Sequence, residues 1–221
     1  MPDIEKGIQE TEPDCRTGSD SKHFLLRRPT RMDLDGLVAM ATDPHMATNL
    51  CTAWLPSTSR AADLWLEHIL QDDNPEAFPF VISDMKGNAI GAACLLHEAA
   101  SDEAEISVLV DRHHWSQGVA TRAMQALADF AFSNPTQTHQ ELQSVTARCR
   151  ASCARSRRIV EKSGFQFYGS GMARSQFHRG MIPIDRYRLD RGIWHALRQW
   201  AGSGLIDPSR PSSQHDMKGA A

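Results

Sequence analysis

The sequence predicts an α/β (α+β) domain: a central mixed, mostly antiparallel sheet of about six to seven strands, with helices on both faces. Three observations carry this. Short apolar runs alternate with helical patterns from Phe24 onward. Two strand-like runs flank Asp84-Met85-Lys86-Gly87-Asn88, where Gly and Asn suit a hairpin turn. A strand, a polar loop and a long amphipathic helix follow one another across Ala104–Phe132.

The elements follow in order. Met1–Lys22 is mostly polar with scattered Pro and Gly, has little to bury, and is expected to be disordered. His23–Arg28 reads as the first strand. Thr30 is placed to cap a helix from Arg31 to about Thr42, with Leu34, Leu37, Val38 and Ala41 on one side and Asp43-Pro44 ending it. Leu50 to Pro56 is irregular; Ser57, Thr58 and Ser59 offer caps for a helix at Arg60–Leu70. There Ala61, Leu64, Trp65, His68 and Ile69 share a side. Phe78–Ser83 and Ala89–Leu96 form the hairpin, and Ala104–Val110 a further antiparallel strand. Leu142–Arg148 reads as a strand, Cys153–Ser163 as a helix ended by Gly164, Phe165–Tyr168 and Asp185–Asp190 as strands, and Gly192–Ala201 as a terminal helix. The Ser-, Pro- and Gly-rich stretch Gly202–Ala221 is expected to be a flexible tail, leaving one domain over residues 23–201.

Composition narrows the function. At 221 residues the chain suits one domain with a sizeable core, and its net charge of -3 gives no overall pull toward nucleic acid or anionic membrane. Five cysteines, odd in number and without a Cys-x-x-Cys pair, argue against a disulfide scaffold or a zinc site and for a reducing compartment. No apolar run approaches the ~20 residues of a membrane span, and the polar, acidic start does not read as a signal peptide. A cytoplasmic protein without membrane contact is expected.

The segment around Gly118 has a chemical use. Gly118-Val119-Ala120 opens a helix whose Ala120, Ala123, Met124, Leu127 and Ala131 recur at about 3.6 residues. The first N–H groups of a helix lack intrahelical partners and carry the positive dipole end, so a Gly beside them lets a diphosphate approach. No Gly-Lys-Ser/Thr follows, and the glycines of a Rossmann fingerprint are missing. Alone, the tripeptide also fits an ordinary strand-to-helix turn.

The surroundings decide more. Trp115-Ser116-Gln117-Gly118-Val119-Ala120 resembles the acyl-CoA motif Arg/Gln-x-x-Gly-x-Gly/Ala of the GNAT superfamily of N-acyltransferases, with Trp115 at the Arg/Gln position. Downstream, the run from Arg150 to Phe165, with Ser156, Arg158, Glu161, Lys162 and Gly164-Phe165, resembles the family's Asn-x-x-Ser-x-Arg-hydrophobic-hydrophobic-Glu-Lys-x-Gly-Phe segment. Cys153 stands where the family has Asn, and Val160 where many members carry Tyr. The resemblance covers roughly Phe24 to Leu197 and implies a sheet splayed between its fourth and fifth strands, with pantetheine in the gap. It implies main-chain bonds from Val108, Leu109 and Val110, a diphosphate wrapped by Trp115, Ser116, Gln117, Gly118, Val119, Ala120 and Thr121, and further contacts from Cys153 and Ser156. Acetyl-CoA is the implied co-substrate, without a metal. The early helices would border the acceptor cleft, where Trp54 and Trp65 either touch substrate or belong to the core.

Moving an acyl group from a thioester to an amine requires a base for the amine, donors for the oxyanion and a proton for the thiolate. Ala104-Glu105-Ile106-Ser107 resembles Ala-Glu-Ile-Gly of the ribosomal-protein (Rim-type) N-terminal alanine/serine acetyltransferases, which makes Glu105 the candidate base; a solvated strand glutamate is the plain reading. The N–H of Leu109 or Val110 would serve the thioester carbonyl. Ser156 is the candidate acid, or else a helix-surface serine. The arginines 148, 150, 155, 157 and 158 form a basic run, better suited to the 3′-phosphate of CoA than to nucleic acid. His113-His114 lacks partners for a metal site. At pH 7 an α-amine costs about 1 kcal/mol to deprotonate and a Lys about 4.6, so a protein N-terminus suits one carboxylate base better; small-molecule amines stay open. Three readings follow: an acetyl-CoA-dependent N-acetyltransferase, monomer or homodimer; a non-catalytic acyl-CoA-binding or regulatory domain; and an interaction module using its tails and basic run.

Overall fold

A computed structural model describes residues 24–51, 54–70, 77–97, 101–133 and 141–202. The segment expected to be disordered, which holds Cys15, lies outside these, as do His23 and residues 203–221 of the expected tail. So do Asn134 and Pro135, which with Ser133 read in the sequence as the stop of the helix opened by Gly118.

The chain opens with β1 (Phe24–Arg27), a 3-10 turn (Arg31–Asp33), α1 (Leu34–Thr42), α2 (Pro44–Ala47) and α3 (Ser59–Leu70). Then come β2 (Ala77–Asp84), β3 (Ala89–His97), β4 (Glu103–Val110), α4 (Val119–Ser133), β5 (Ser144–Arg150) and α5 (Ala154–Lys162). A hairpin of β6 (Gln166–Ser175) and β7 (Gly180–Asp190) leads into α6 (Arg191–Gly202). The seven strands form one sheet in the order β1-β2-β3-β4-β5-β7-β6, antiparallel except for β4 against β5. The expected mixed sheet with helices on both faces is therefore present.

The alternation along β4 divides the core. Ala104, Ile106 and Val110 pack with Ala123, Leu127 and Phe132 of α4 on one face, while Leu109 packs with Leu37, Met40, Met46 and Trp54 on the other. The hairpin turn closes as the Asp84-to-Asn88 stretch suggested: Asp84 N donates to Asn88 O at 2.9 Å, and the Asp84 carboxylate accepts from the backbone N–H groups of Lys86 and Asn88. Gly164 ends α5 at φ +93°, with its N–H on Glu161 O at 3.0 Å.

Three expectations need correction. The helix foreseen from Arg31 starts as a 3-10 turn, because the Asp33 carboxylate accepts from the backbone and hydroxyl of Thr30 and from Arg27. Pro44 also begins α2, with the Asp43 side chain capping His45 N. On α3 the buried side is Ala62 and Leu66, packed on Leu34, whereas Leu64 is 63% exposed. Finally, β6 and β7 run far beyond Phe165–Tyr168 and Asp185–Asp190. Their extra length carries Gly169 and Gly171, exposes Met172 and Met181 on one side and buries Ala173, Ile182 and Ile184 with Cys51 on the other.

Candidate active site

The sheet opens at one place. β4 pairs with β5 only at Glu103↔Ser144, Ala104↔Val145 and Glu105↔Thr146. Beyond Glu105, β4 stays paired with β3 as far as Val110, and β5 with β7 as far as Arg150. The two strands therefore diverge, and from Ile106 to Val110 the β4 edge toward β5 has no strand partner. A cleft of about 750 Å³ fills the divergence, lined by Val108, Leu109 and Val110 on one side and Ala147, Arg148 and Cys149 on the other.

The loop after β4 seals one end. Asp111 N donates to Ile90 O, and the Asp111 carboxylate caps a 3-10 turn by accepting from His113 N at 2.9 Å. Trp115 then folds back: its indole Nε1 donates to Val110 O at 2.7 Å, and the Arg155 guanidinium lies 4.2 Å from its ring centroid. The chain reaches α4 through Ser116 at φ +61° and Gly118 at φ +77°. A Cβ built on Gly118 would meet nothing within 4 Å, so the space beside it belongs to the cleft. Arg122 N is bonded to Gly118 O, which leaves the N–H groups of the first turn, at Val119, Ala120 and Thr121, for a ligand.

α5 forms the opposite wall. Cys153 is its N-cap, with Sγ 3.1 Å from Ser156 Oγ, and both line the cleft. Val160 is buried in the core. The basic run is dispersed: Arg157 binds Asp185 and Ala151 O, Arg150 donates to Thr48 Oγ1 at 2.9 Å, and Arg148 forms an ion pair with Glu105. Arg155, Arg158 and Lys162 line the cleft.

On the other sheet face, Trp54 Nε1 donates to Ser107 Oγ at 2.7 Å and Trp65 Nε1 to Trp54 O at 3.0 Å. Trp54 belongs to the core, with Trp65 packed against it, so both tryptophans serve packing. His45, Asn49 and Cys51, from α2 and the segment after it, line the cleft instead. Burial pushes the Cys51 thiol up to about 11 and those of Cys94 and Cys149 to about 12, which keeps all three protonated near neutral pH. Among the described residues no group of three His, Cys, Asp or Glu is placed to hold a metal ion, His113 and His114 included.

A family model described as an acetyltransferase (GNAT) domain matches residues 23–166. The chain belongs to the GNAT acetyltransferase family. It is thus an acetyltransferase that draws on acetyl-CoA and passes the acetyl group to an amine. No curated protein sequence matches the chain. Among solved structures, the spermidine N-acetyltransferase from Vibrio cholerae, in complex with CoA and spermine, is similar at 17% identity and TM-score 0.65, over 78% of this chain and 98% of that one. The microcin C7 self-immunity acetyltransferase MccE, in complex with acetyl-CoA and AMP, is similar at 14% identity and TM-score 0.62, over 76% of this chain and 92% of that one. At these identities the likeness speaks for the fold.

In this GNAT domain the residues expected around acetyl-CoA line one cleft except Gln117, whose side chain donates to His113 O instead, and the Val110 carbonyl is already taken by Trp115. That bond gives Trp115 a place at the position where the family has Arg or Gln: it ties the loop to β4 and shelves Arg155. Glu105 stands at the last paired residue of the parallel ladder, bonded to Arg148 rather than solvated alone. Sequence reasoning missed the His45-to-Cys51 wall. The Asp43-Pro44 pair, a cap followed by Pro at the first helical position, was the available signal for α2.

Proposed function

We propose that the protein is an acetyl-CoA-dependent N-acetyltransferase acting on a primary amine, either a protein N-terminus or a small molecule. The observation that carries the proposal is the parting of β4 and β5 immediately past Glu105, with the Gly118 turn and the N-terminus of α4 at its far side. The residues present fit the co-substrate: a Cβ at Gly118 would fill an open cradle, and unpaired helix N–H groups face it. When bound, acetyl-CoA supplies an activated thioester. Val119, Ala120 and Thr121 offer backbone donors for its diphosphate, with Arg155, Arg158 and Lys162 close by for its other charge. The edge of β4 from Ile106 to Val110, left without a strand partner toward β5 among the described residues, suits pantetheine, which would pair as an added strand does; Leu109 turns its backbone to β3, so the Val110 N–H, on the gap side, suits the thioester oxygen.

Glu105 is assigned the base. Arg148 fixes its carboxylate at the apex of the cleft, where it accepts the proton the amine sheds, directly or through one water. Ser156 is assigned the donor to the departing sulfur, and the Cys153 thiol at 3.1 Å stands ready to restore its proton. The two neighbours were solved with ligands of opposite charge, spermine and AMP, so they leave the acceptor open. The second reading, an acyl-CoA-binding domain without turnover, rests on Cys153 at the Asn position and on buried Val160, which offers no acid.

The test is incubation with acetyl-CoA and a mixed amine panel, reading free thiol, beside a thermal-shift titration with CoA. Ligand at about a hundredfold over its Kd should stabilise the fold by about 2.7 kcal/mol. Thiol release that depends on amine supports transfer. A shift without release supports the second reading, and no shift with millimolar CoA overturns both.

A further inference from the structure

The acceptor side of the cleft is cationic, and we infer that the amine it takes also carries an anionic oxyacid group, a carboxylate or phosphate, a few ångströms from the nitrogen. This deepens the acetyl-transfer reading above and rests on it. On β5, Ala147 and Cys149 point into the core shared with α4 and Val160 of α5. The alternate residues Arg148 and Arg150 therefore stand on the opposite face, away from the helices that flank acetyl-CoA. Their cross-strand partners on β7 are Arg186 and Ile184.

The carboxylates on this face are already committed. Glu103 and Asp190 both bind Arg188, and Glu105 binds Arg148. Three cationic capacities are left over. Among the described residues, Arg148 Nε is buried without a hydrogen-bond partner, and Arg150 reaches the Thr48 hydroxyl and no carboxylate. Arg186 is exposed, lies over Gly171, and has no acidic partner among the described residues. The residues that line the cleft include Arg148, His45 and Asn49 at this end, and no Asp or Glu among those described.

Arg148 and Arg186 are like charges directly opposed across the ladder, and the Glu105 carboxylate, bound to Arg148, answers one of the two. Guanidinium groups take oxyacid groups in bidentate fashion. An anionic group engaging Arg148 leaves its neighbouring amine beside Glu105, the partner of Arg148 and the assigned base. A polyamine would bring positive charge to the same place, where the described carboxylates of this face already hold arginines.

The experiment uses the full chain with acetyl-CoA and matched acceptors: an alanyl-glutamate peptide amide against its alanyl-glutamine counterpart, phosphoethanolamine against ethanolamine, and spermidine. Free-thiol release should give the acidic members a kcat/KM roughly tenfold or more above their neutral counterparts. Spermidine should come last, and the gap should narrow with added salt. The two pairs separate carboxylate from phosphate. Arg186→Glu should shrink or invert the preference, mainly through KM. Neutral amines or spermidine matching the acidic ones would overturn the inference. Should no amine release thiol, the transfer reading fails on its own, and calorimetric titration of the same compounds into the CoA-loaded protein decides. A tenfold preference for the acidic members supports the inference, and equal or undetectable binding overturns it.

Discussion

Ser156 lines the cleft, whereas Glu105 stands at its closed end, at the last paired residue of the parallel ladder. Glu105 is tied to Arg148, so the guanidinium competes for the oxygens that must receive the amine's proton. Ser156 Oγ lies 3.1 Å from the Cys153 thiol. Glu105→Gln keeps the shape and loses the base, so kcat should fall about 10²–10⁴-fold with little change in CoA affinity. Ser156→Ala should cost less, because a thiol of pKa ~8.5 leaves as thiolate without much help. Steady-state kinetics on any acceptor found active checks the order; a dead Ser156→Ala beside a near-parental Glu105→Gln would reverse the assignments. Glu105 was legible as a residue, from its place in Ala-Glu-Ile-Ser. Its pairing with Arg148 was not, since that contact spans 43 positions and depends on where two strands stop running side by side.

Among the elements, the turn into α4 is the most exacting. Gly118 sits at φ +77° with empty space where a side chain would go. Gly118→Val should leave the fold cooperative, with strain of about 1–3 kcal/mol, while abolishing binding of CoA. Paired urea melts and CoA titrations check both halves; wild-type CoA affinity in this variant would displace the phosphate site from α4. The start of α1 depends on Asp33, only 4% exposed, which receives two bonds from Arg27 and two from Thr30. Burial alone would raise this carboxyl, but the bonds from Arg27 and Thr30 outweigh it and leave it below the usual carboxylate range. A depressed acid stabilises the fold above its unfolded pKa, and that contribution is lost as pH falls through the folded one. Asp33→Asn should therefore cost roughly 2 kcal/mol at pH 7 and progressively less below pH ~4, read as urea midpoints across pH. A pH-independent cost would mean the charge of Asp33 is immaterial.

At the scale of the whole molecule, buried thiols set the alkaline limit. Cys51, Cys94 and Cys149 lie in the core with pKa values raised to about 11, 12 and 12, and burial raises Tyr187 as well. In the unfolded chain these thiols ionise near ~8.5. Between that value and the folded ones the native state holds more protons, so stability should fall steadily as pH rises above about 9. Thermal midpoints from pH 7 to 10.5 check this. A Cys94→Ala variant, though destabilised overall, should show a shallower decline; an unchanged slope would place the alkaline loss elsewhere.

The sequence by itself determined the elements and the chemistry of one loop. Apolar periodicity placed α4 and β2 to β5 within a few residues, because each buries one face and the pattern of burial is written locally. The Gly118 turn was legible because Trp115 to Ala120 and the run from Arg150 to Phe165 together resemble the family's two motifs; the glycine alone also suits an ordinary strand-to-helix turn. Tertiary structure alone decided the rest. It set Arg148 opposite Arg186 on one sheet face, with Arg150 two residues along, and it placed His45, Asn49 and Cys51 along the acceptor wall. It also extended β6 and β7, whose added length buries Ala173, Ile182 and Ile184 against Cys51, a residue far off in the chain. Each of these rests on register between distant segments, and register is fixed by the assembled ladder and the twist that parts β4 from β5, not by any local run of residues.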